Sequence, residues 1–169
     1  MTSDPGRASR GFFEELVRRI PGFRGYFAAN ERQQSDRQER EYLVQRLQEA
    51  KRGLTAAASR LVDQGKLDLL PRIERVGNAL DRIIGRIRGS VQRHGWFASD
   101  EAAADRLDAL YDHDLALSQL VEQFEAAVGQ LPDDAQKLST ALADLEEKLQ
   151  AIDARWTARE EHLSDRSAR

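Results

Sequence analysis

Four stretches of this 169-residue chain place apolar residues at alternating spacings of three and four. Leu43, Leu47, Ala50, Leu54, Ala57 and Leu61 make the first, and Ile73, Val76, Leu80, Ile83 and Ile87 the second. Leu107, Leu110, Leu117, Val121, Phe124, Val128 and Leu131 make the third, broken only at Asp114, while Leu138, Leu142, Leu145, Leu149, Ile152 and Trp156 make the fourth. At 3.6 residues per turn each set falls on one helix face, and four such faces have to cover one another. The pattern predicts an all-α fold: an antiparallel up-down four-helix bundle with a coiled-coil-like heptad rhythm, preceded by a short amphipathic helix.

Turn and cap residues set the expected boundaries. Residues 1–11 are polar and expected to be disordered, as are 165–169. Residues 12–25 should form an amphipathic helix and a Pro-Gly turn. Phe12, Phe13, Leu16, Val17 and Ile20 share one face, Glu14 and Glu15 can pair with Arg18 and Arg19, and Pro21-Gly22 suits the centre of a type II turn. The bundle should then occupy 26–164. Its first helix should run from about Tyr26 to Gln64, with the polar stretch Asn30–Glu41 solvated all round. Gly65 should stop it, with Leu67 folding back on the last turn. Asp68 with Pro71 should open the second helix, which should end at His94-Gly95. Ser99 or Asp100 should cap the third, ending near Gly129, and Pro132-Asp133-Asp134 should start the fourth.

Composition narrows the function classes. With 40% hydrophobic and 33% charged residues, each helix has enough apolar surface to bury one side only. There is no cysteine, so disulfides, thiolate metal sites and cysteine nucleophiles are excluded. The start of the chain lacks an apolar signal region and no run reaches the roughly 20 apolar residues of a spanning helix, so a cytoplasmic location is expected. The net charge of −3 conceals an asymmetry: residues 1–99 hold 19 Lys/Arg against 12 Asp/Glu, and residues 100–169 hold 7 against 17. Basic and acidic helices that pair along their flanks would account for it, and a compensated basic half argues against nucleic acid as a partner.

In an up-down bundle the start of the first long helix, the loop after the second and the end of the fourth share one pole. Phe12, Phe13, Phe23, Tyr26, Phe27, Trp96, Phe97 and Trp156 all belong there. Residues 12–27 could cap that open end, or could form a detachable anchor for a partner groove or an anionic membrane surface. Arg10, Arg18, Arg19 and Arg24 favour anionic lipid, and Glu14 and Glu15 oppose it.

Asp114 interrupts an apolar stripe, where an unpaired carboxylate costs several kcal/mol. Antiparallel registers nominate Arg82, Arg86 or Lys148 as its buried partner. Gly85 and Gly89 form a GxxxG within the second helix, which suggests close packing against small residues such as Ala56–Ala58, or else a flexible helix. Metal, cofactor and catalytic motifs are missing. No histidine follows a glutamate by three positions, Asp112-His113-Asp114 fans out around a helix, and no phosphate loop, dinucleotide fingerprint, HExxH or G-x-S-x-G occurs.

Pro21-Gly-Phe-Arg-Gly-Tyr26, followed by a very polar helix, together with Leu110-Tyr-Asp-His-Asp-Leu-Ala-Leu117, resembles an uncharacterised bacterial all-α family. The resemblance covers a small part of the chain, implies a bacterial source and brings no activity with it. The expectation is therefore a non-enzymatic scaffold or interaction module, without cofactor, that binds another protein or itself through the aromatic pole. Peripheral membrane binding through the N-terminal helix is the alternative.

Overall fold

A computed structural model describes residues 5–90 and 104–164. Among them α1 spans Pro5–Arg19, α2 Arg32–Asp63, α3 Leu70–Gly89, α4 Ala104–Gly129 and α5 Ala135–Ser164, with single 3-10 turns at Ala29–Glu31 and Leu67–Leu69 and no strand. The fold is an all-α bundle. The expected third-helix cap at Ser99 or Asp100, the expected end of the second helix at His94-Gly95, and Trp96 and Phe97 lie outside the described residues.

Several helix ends follow directly from local chemistry. Gly65 has φ 70° and closes α2 in a Schellman arrangement, its N–H bonding to the Val62 carbonyl at 3.0 Å and that of Lys66 to Leu61 at 2.9 Å. Leu67 does not fold back as expected; it is 55% exposed, because the chain turns at once into the 3-10 segment. Asp68 lies within that 3-10 turn, and α3 begins at Leu70 with Pro71 in its first turn, where the missing N–H does no harm. Asp134 caps α5, its Oδ1 accepting the Lys137 N–H at 2.9 Å. At the front, α1 begins at Pro5 rather than Phe12, so residues 5–11 are helical where disorder was expected. A proline at the first helical position is preorganised for it.

The chain divides into two compact units, one made of Leu43–Gly89 with Gln119–Asp153 and the other of the remaining described residues. In the first, Leu43, Leu47, Leu54 and Leu61 of α2 are buried, as are Ile73, Val76, Leu80, Ile83 and Ile87 of α3. Val121, Phe124 and Val128 of α4 and Leu138, Leu142, Leu145, Leu149 and Ile152 of α5 complete that core. Lys51 pairs with Asp81 at 2.6 Å across the α2–α3 hairpin. Arg46–Glu125 at 2.8 Å and Arg60–Asp133 at 3.3 Å tie α2 to the stretch from α4 to the start of α5, and Arg72–Glu146 at 3.5 Å and Arg86–Asp153 tie α3 to α5. In the last four pairs the base comes from α2 or α3 and the acid from residues beyond 100, so the charge asymmetry is worked out as flank pairing.

The close approach in this unit is at Gly53, where a Cβ would come within 2.7 Å of Val128 Cγ1. At Gly77, Gly85 and Gly89 a Cβ would meet nothing within 4 Å, so the α3 glycines do not serve close packing.

The other unit holds α1, the connection through residues 20–31, the first turns of α2, and the α4 and α5 stretches 104–118 and 154–164. Here α4 and α5 run antiparallel, with Arg155 paired to Asp112 and the Arg106 guanidinium 3.5 Å from the His162 carbonyl. In α1, Glu15 takes both Arg18 and Arg19, at 3.4 and 3.0 Å. Leu16 and Ile20 are fully buried against Leu107, Leu110 and Tyr111, so α1 is packed down as part of the core.

Candidate functional site

Two tight features of the 20–31 connection deliver Tyr26 to the interior. Pro21-Gly22 makes the expected type II turn, with Gly22 at φ 78° and the Phe23 N–H bonding to the Ile20 carbonyl at 3.1 Å. Gly25 has φ 81°, and a Cβ there would lie 2.7 Å from the Tyr111 hydroxyl and 2.8 Å from the Phe13 ring. With Gly25 in that conformation, the Tyr26 N–H donates to the Tyr111 hydroxyl oxygen at 2.6 Å. Arg32 Nε donates to the Tyr26 carbonyl at 2.7 Å and the Ser35 hydroxyl to the Gly25 carbonyl at 2.8 Å. These three bonds satisfy backbone groups of the connection with buried side chains and so tie it to the core.

Tyr26 then leads into a chain of buried charges. Its hydroxyl donates to Asp114 Oδ2, and Arg159 Nε donates to Asp114 Oδ1 at 2.5 Å. The same guanidinium reaches Asp36 Oδ1 at 2.8 Å, and Arg40 Nε reaches Asp36 Oδ2 at 3.0 Å. Asp114 and Arg159 are 0% and 1% exposed. Arg159 also lies over the Trp156 ring, 5.2 Å from its centroid. The cation beside Asp114 is therefore Arg159, not Arg82, Arg86 or Lys148. Arg86 pairs with Asp153 and Lys148 with Asp144, while Arg82 is exposed. The reason is side-chain reach: a long helical side chain slants back towards the N-terminus of its helix, so Arg159 serves a level earlier along α5 than its own backbone position.

The stretch Asn30–Glu41 is not solvated all round. Arg32, Ser35, Asp36 and Glu39 are all buried. The missed signal was register. Stepping back from Leu43 by four and then three residues lands on Glu39 and Asp36, and stepping forward from Ile152 through Trp156 lands on Arg159. The core therefore continues past Leu43 and Trp156 through polar residues in core positions.

Two carboxylates, Asp36 and Asp114, face two guanidiniums, Arg159 and Arg40, and the charge closes without Glu39. Both Glu39 oxygens are buried with no hydrogen-bond partner. Burial pushes the Glu39 carboxyl well above its usual range, Asp114 raises it further, and Arg159 opposes. Burial raises Asp114 as well, against the pull of Arg159 and the Tyr26 hydroxyl. Having no donor aimed at it, Glu39 is the carboxyl whose neutral form burial favours most. A group raised in the folded state contributes stability that is complete below its unfolded pKa, near 4.5, and is lost as pH rises towards the folded value. Glu39→Gln should therefore gain on the native protein as pH climbs above 4.5, by up to about 1.4 kcal/mol per unit. Denaturant melts of the two proteins across pH 4–8 check this, and a difference that does not grow would mean that Glu39 is ionised in the fold.

Above this network lies the aromatic group. Phe27 packs edge-on against Phe13 with centroids 5.5 Å apart and lies 5.1 Å from Tyr111, and Phe23 is edge-on to Tyr26 at 5.5 Å. Of the residues expected at an exposed pole, Phe23, Tyr26 and Trp156 are buried and cannot be contact residues. Phe12 and Phe13 are partly buried, and among the described members of that set Phe27 alone is largely open, at 45%. The turn at Pro21-Gly22 and the bonds to Tyr26 draw Phe23 and Tyr26 inward, while Trp156 lies on the buried stripe of α5.

His113 and His162 are neighbours with ring centroids 5.6 Å apart. Burial, with Arg155 and His162 nearby, pushes His113 down to about 4, so its ring is neutral at physiological pH. Among the described residues no group of three or more His, Cys, Asp or Glu side chains could hold a metal ion. Two of the three buried carboxyls, Asp36 and Asp114, converge on Arg159, whose guanidinium already takes a cation's place. Nor is any described helix long and apolar enough to cross a membrane. Comparison with known families, curated proteins and solved structures gives no match.

Proposed function

We propose that this chain is a non-enzymatic interaction module that binds another protein, or a second copy of itself, through the face around Phe27. The observation that carries this reading is an aromatic ring left 45% exposed while pinned between two other rings on a hydrogen-bonded base. A rigid, half-exposed aromatic is the kind of residue on which interface energy concentrates. Val17, one turn along α1 from Phe13, is 43% exposed and adds apolar surface. The flanking Arg18 and Arg24 side chains are open to solvent and suit a polar rim. The apolar face that α1 would offer a membrane is already spent on Leu110 and Tyr111, which favours a protein partner over lipid.

A photoreactive amino acid placed at position 27 in the native host should give a discrete adduct with one protein or with a second copy. The same group at Arg52, far along α2, should not. No adduct specific to position 27 would remove the support for this face. Flotation with anionic vesicles, unchanged by Phe27→Ser, would point to lipid instead.

A further inference from the structure

The unit formed by Leu43–Gly89 and Gln119–Asp153 carries a groove of about 550 Å³ between α3 and α5. Its floor is apolar, made by Val76, Ile83 and Leu149, and Ala79 is the smallest side chain along it. Across the groove, Arg86 is neutralised by Asp153, and Glu146 by Arg72. Arg75 and Arg82, on the α3 rim, have no ion-pair partner among the described residues. In the same unit Arg46, Lys51, Arg60 and Arg72 are each matched to an acid. The groove thus presents two uncompensated guanidiniums beside a small apolar depression.

We propose that this groove docks an acidic amphipathic helix of a partner protein. Arg75 and Arg82 are seven residues apart on one helix, a separation of about 10.5 Å. A partner helix laid alongside repeats its own side chains at that interval, so carboxylates at i and i+7 meet both arginines at once. Ala79 stands midway between them, where an apolar side chain at i+3 or i+4 of the partner can enter. Each guanidinium can take a carboxylate through two N–H bonds, which fixes register as well as charge. Nucleic acid suits the groove poorly, since two free cations make a short track for a phosphate backbone. This site is separate from the Phe27 face and stands or falls without it.

The probe is a fluorescein-labelled helical peptide of about 15 residues, with Glu at i and i+7 and Leu at i+3 and i+4. Its binding to the full chain is followed by fluorescence anisotropy. Saturable binding is expected, weakened about tenfold or more by Arg75→Glu with Arg82→Glu, and similarly by Gln in place of both peptide Glu residues. Ala79→Phe, which fills the depression and leaves the charge alone, should weaken it as well. Circular dichroism melts of each variant, and the milder pair Arg75→Gln with Arg82→Gln, keep folding defects apart from binding defects. Absence of saturable binding would overturn the proposal, as would binding indifferent to the charge reversals. Loss with the reversals but not with Ala79→Phe would reduce it to bare charge attraction and overturn the docking site. Equal binding of a single-stranded DNA oligonucleotide or of anionic vesicles would overturn the choice of an acidic helix.

Discussion

Arg159→Met should destabilise the protein by about 3–5 kcal/mol, the loss expected when one partner of a buried charge pair is removed. Arg159 is 1% exposed and holds Asp114 Oδ1 at 2.5 Å and Asp36 Oδ1 at 2.8 Å. The two carboxylates do not suffer equally without it. Asp36 keeps Arg40 at 3.0 Å, whereas Asp114 keeps only the Tyr26 hydroxyl. Asp114 should respond by taking up a proton, so the deficit of Arg159→Met should shrink as the solution is acidified. Adding Asp114→Leu should return part of the lost stability, because it removes the stranded charge and leaves Asp36 paired. Urea melts at pH 5 and pH 8 on the three proteins check both statements. A midpoint unchanged by Arg159→Met would mean that the guanidinium is solvated and the network open.

Gly25→Ala should have the second large effect, a loss of about 2–5 kcal/mol from two sources. A left-handed backbone costs a non-glycine residue about 1–2 kcal/mol. The added methyl would also lie 2.7 Å from the Tyr111 hydroxyl and 2.8 Å from the Phe13 ring, and overpacking of that kind adds about 1–3 kcal/mol. Relief by moving Tyr111 would break its bond to the Tyr26 N–H, so the substitution should loosen the whole connection rather than one side chain. By contrast Gly85→Ala, on α3 with nothing within 4 Å of the new Cβ, should be stabilising by up to about 1 kcal/mol. The two alanine variants, melted side by side, separate a glycine required by its surroundings from one that is not.

How far the sequence disclosed this architecture depends on which signal each part used. The apolar stripes of α2 to α5 are periodic and long, and burial follows them from Leu43 to Trp156. Gly65, Pro21-Gly22 and Asp134 carry stereochemical signals that act locally, and the chain bends or caps where they stand. The buried charges use no such signal. Arg32, Asp36 and Glu39 lie in a stretch whose composition is that of a solvated helix, and only their register with Leu43 places them inside. Asp114 stood out because apolar neighbours frame it, yet its partner depended on side-chain reach, which Cα registers between ideal helices do not capture. The aromatic pole was inferred from topology. Trp156 faces inward as its stripe implies, but the inward placement of Tyr26 is fixed by hydrogen bonds to its own backbone, an effect invisible to periodicity.

A fixed Phe27 face requires the 20–31 connection to be a permanent part of the fold and not a detachable anchor. Amide hydrogen exchange on the full chain tests this most directly. The Tyr26 N–H, bonded to a buried tyrosine hydroxyl, should exchange only through global unfolding, at a rate matching the core amides of α4 and unaltered by anionic vesicles. Exchange of that amide orders of magnitude faster than the core, while α4 remains protected, would show the segment opening on its own and would contradict a fixed Phe27 surface.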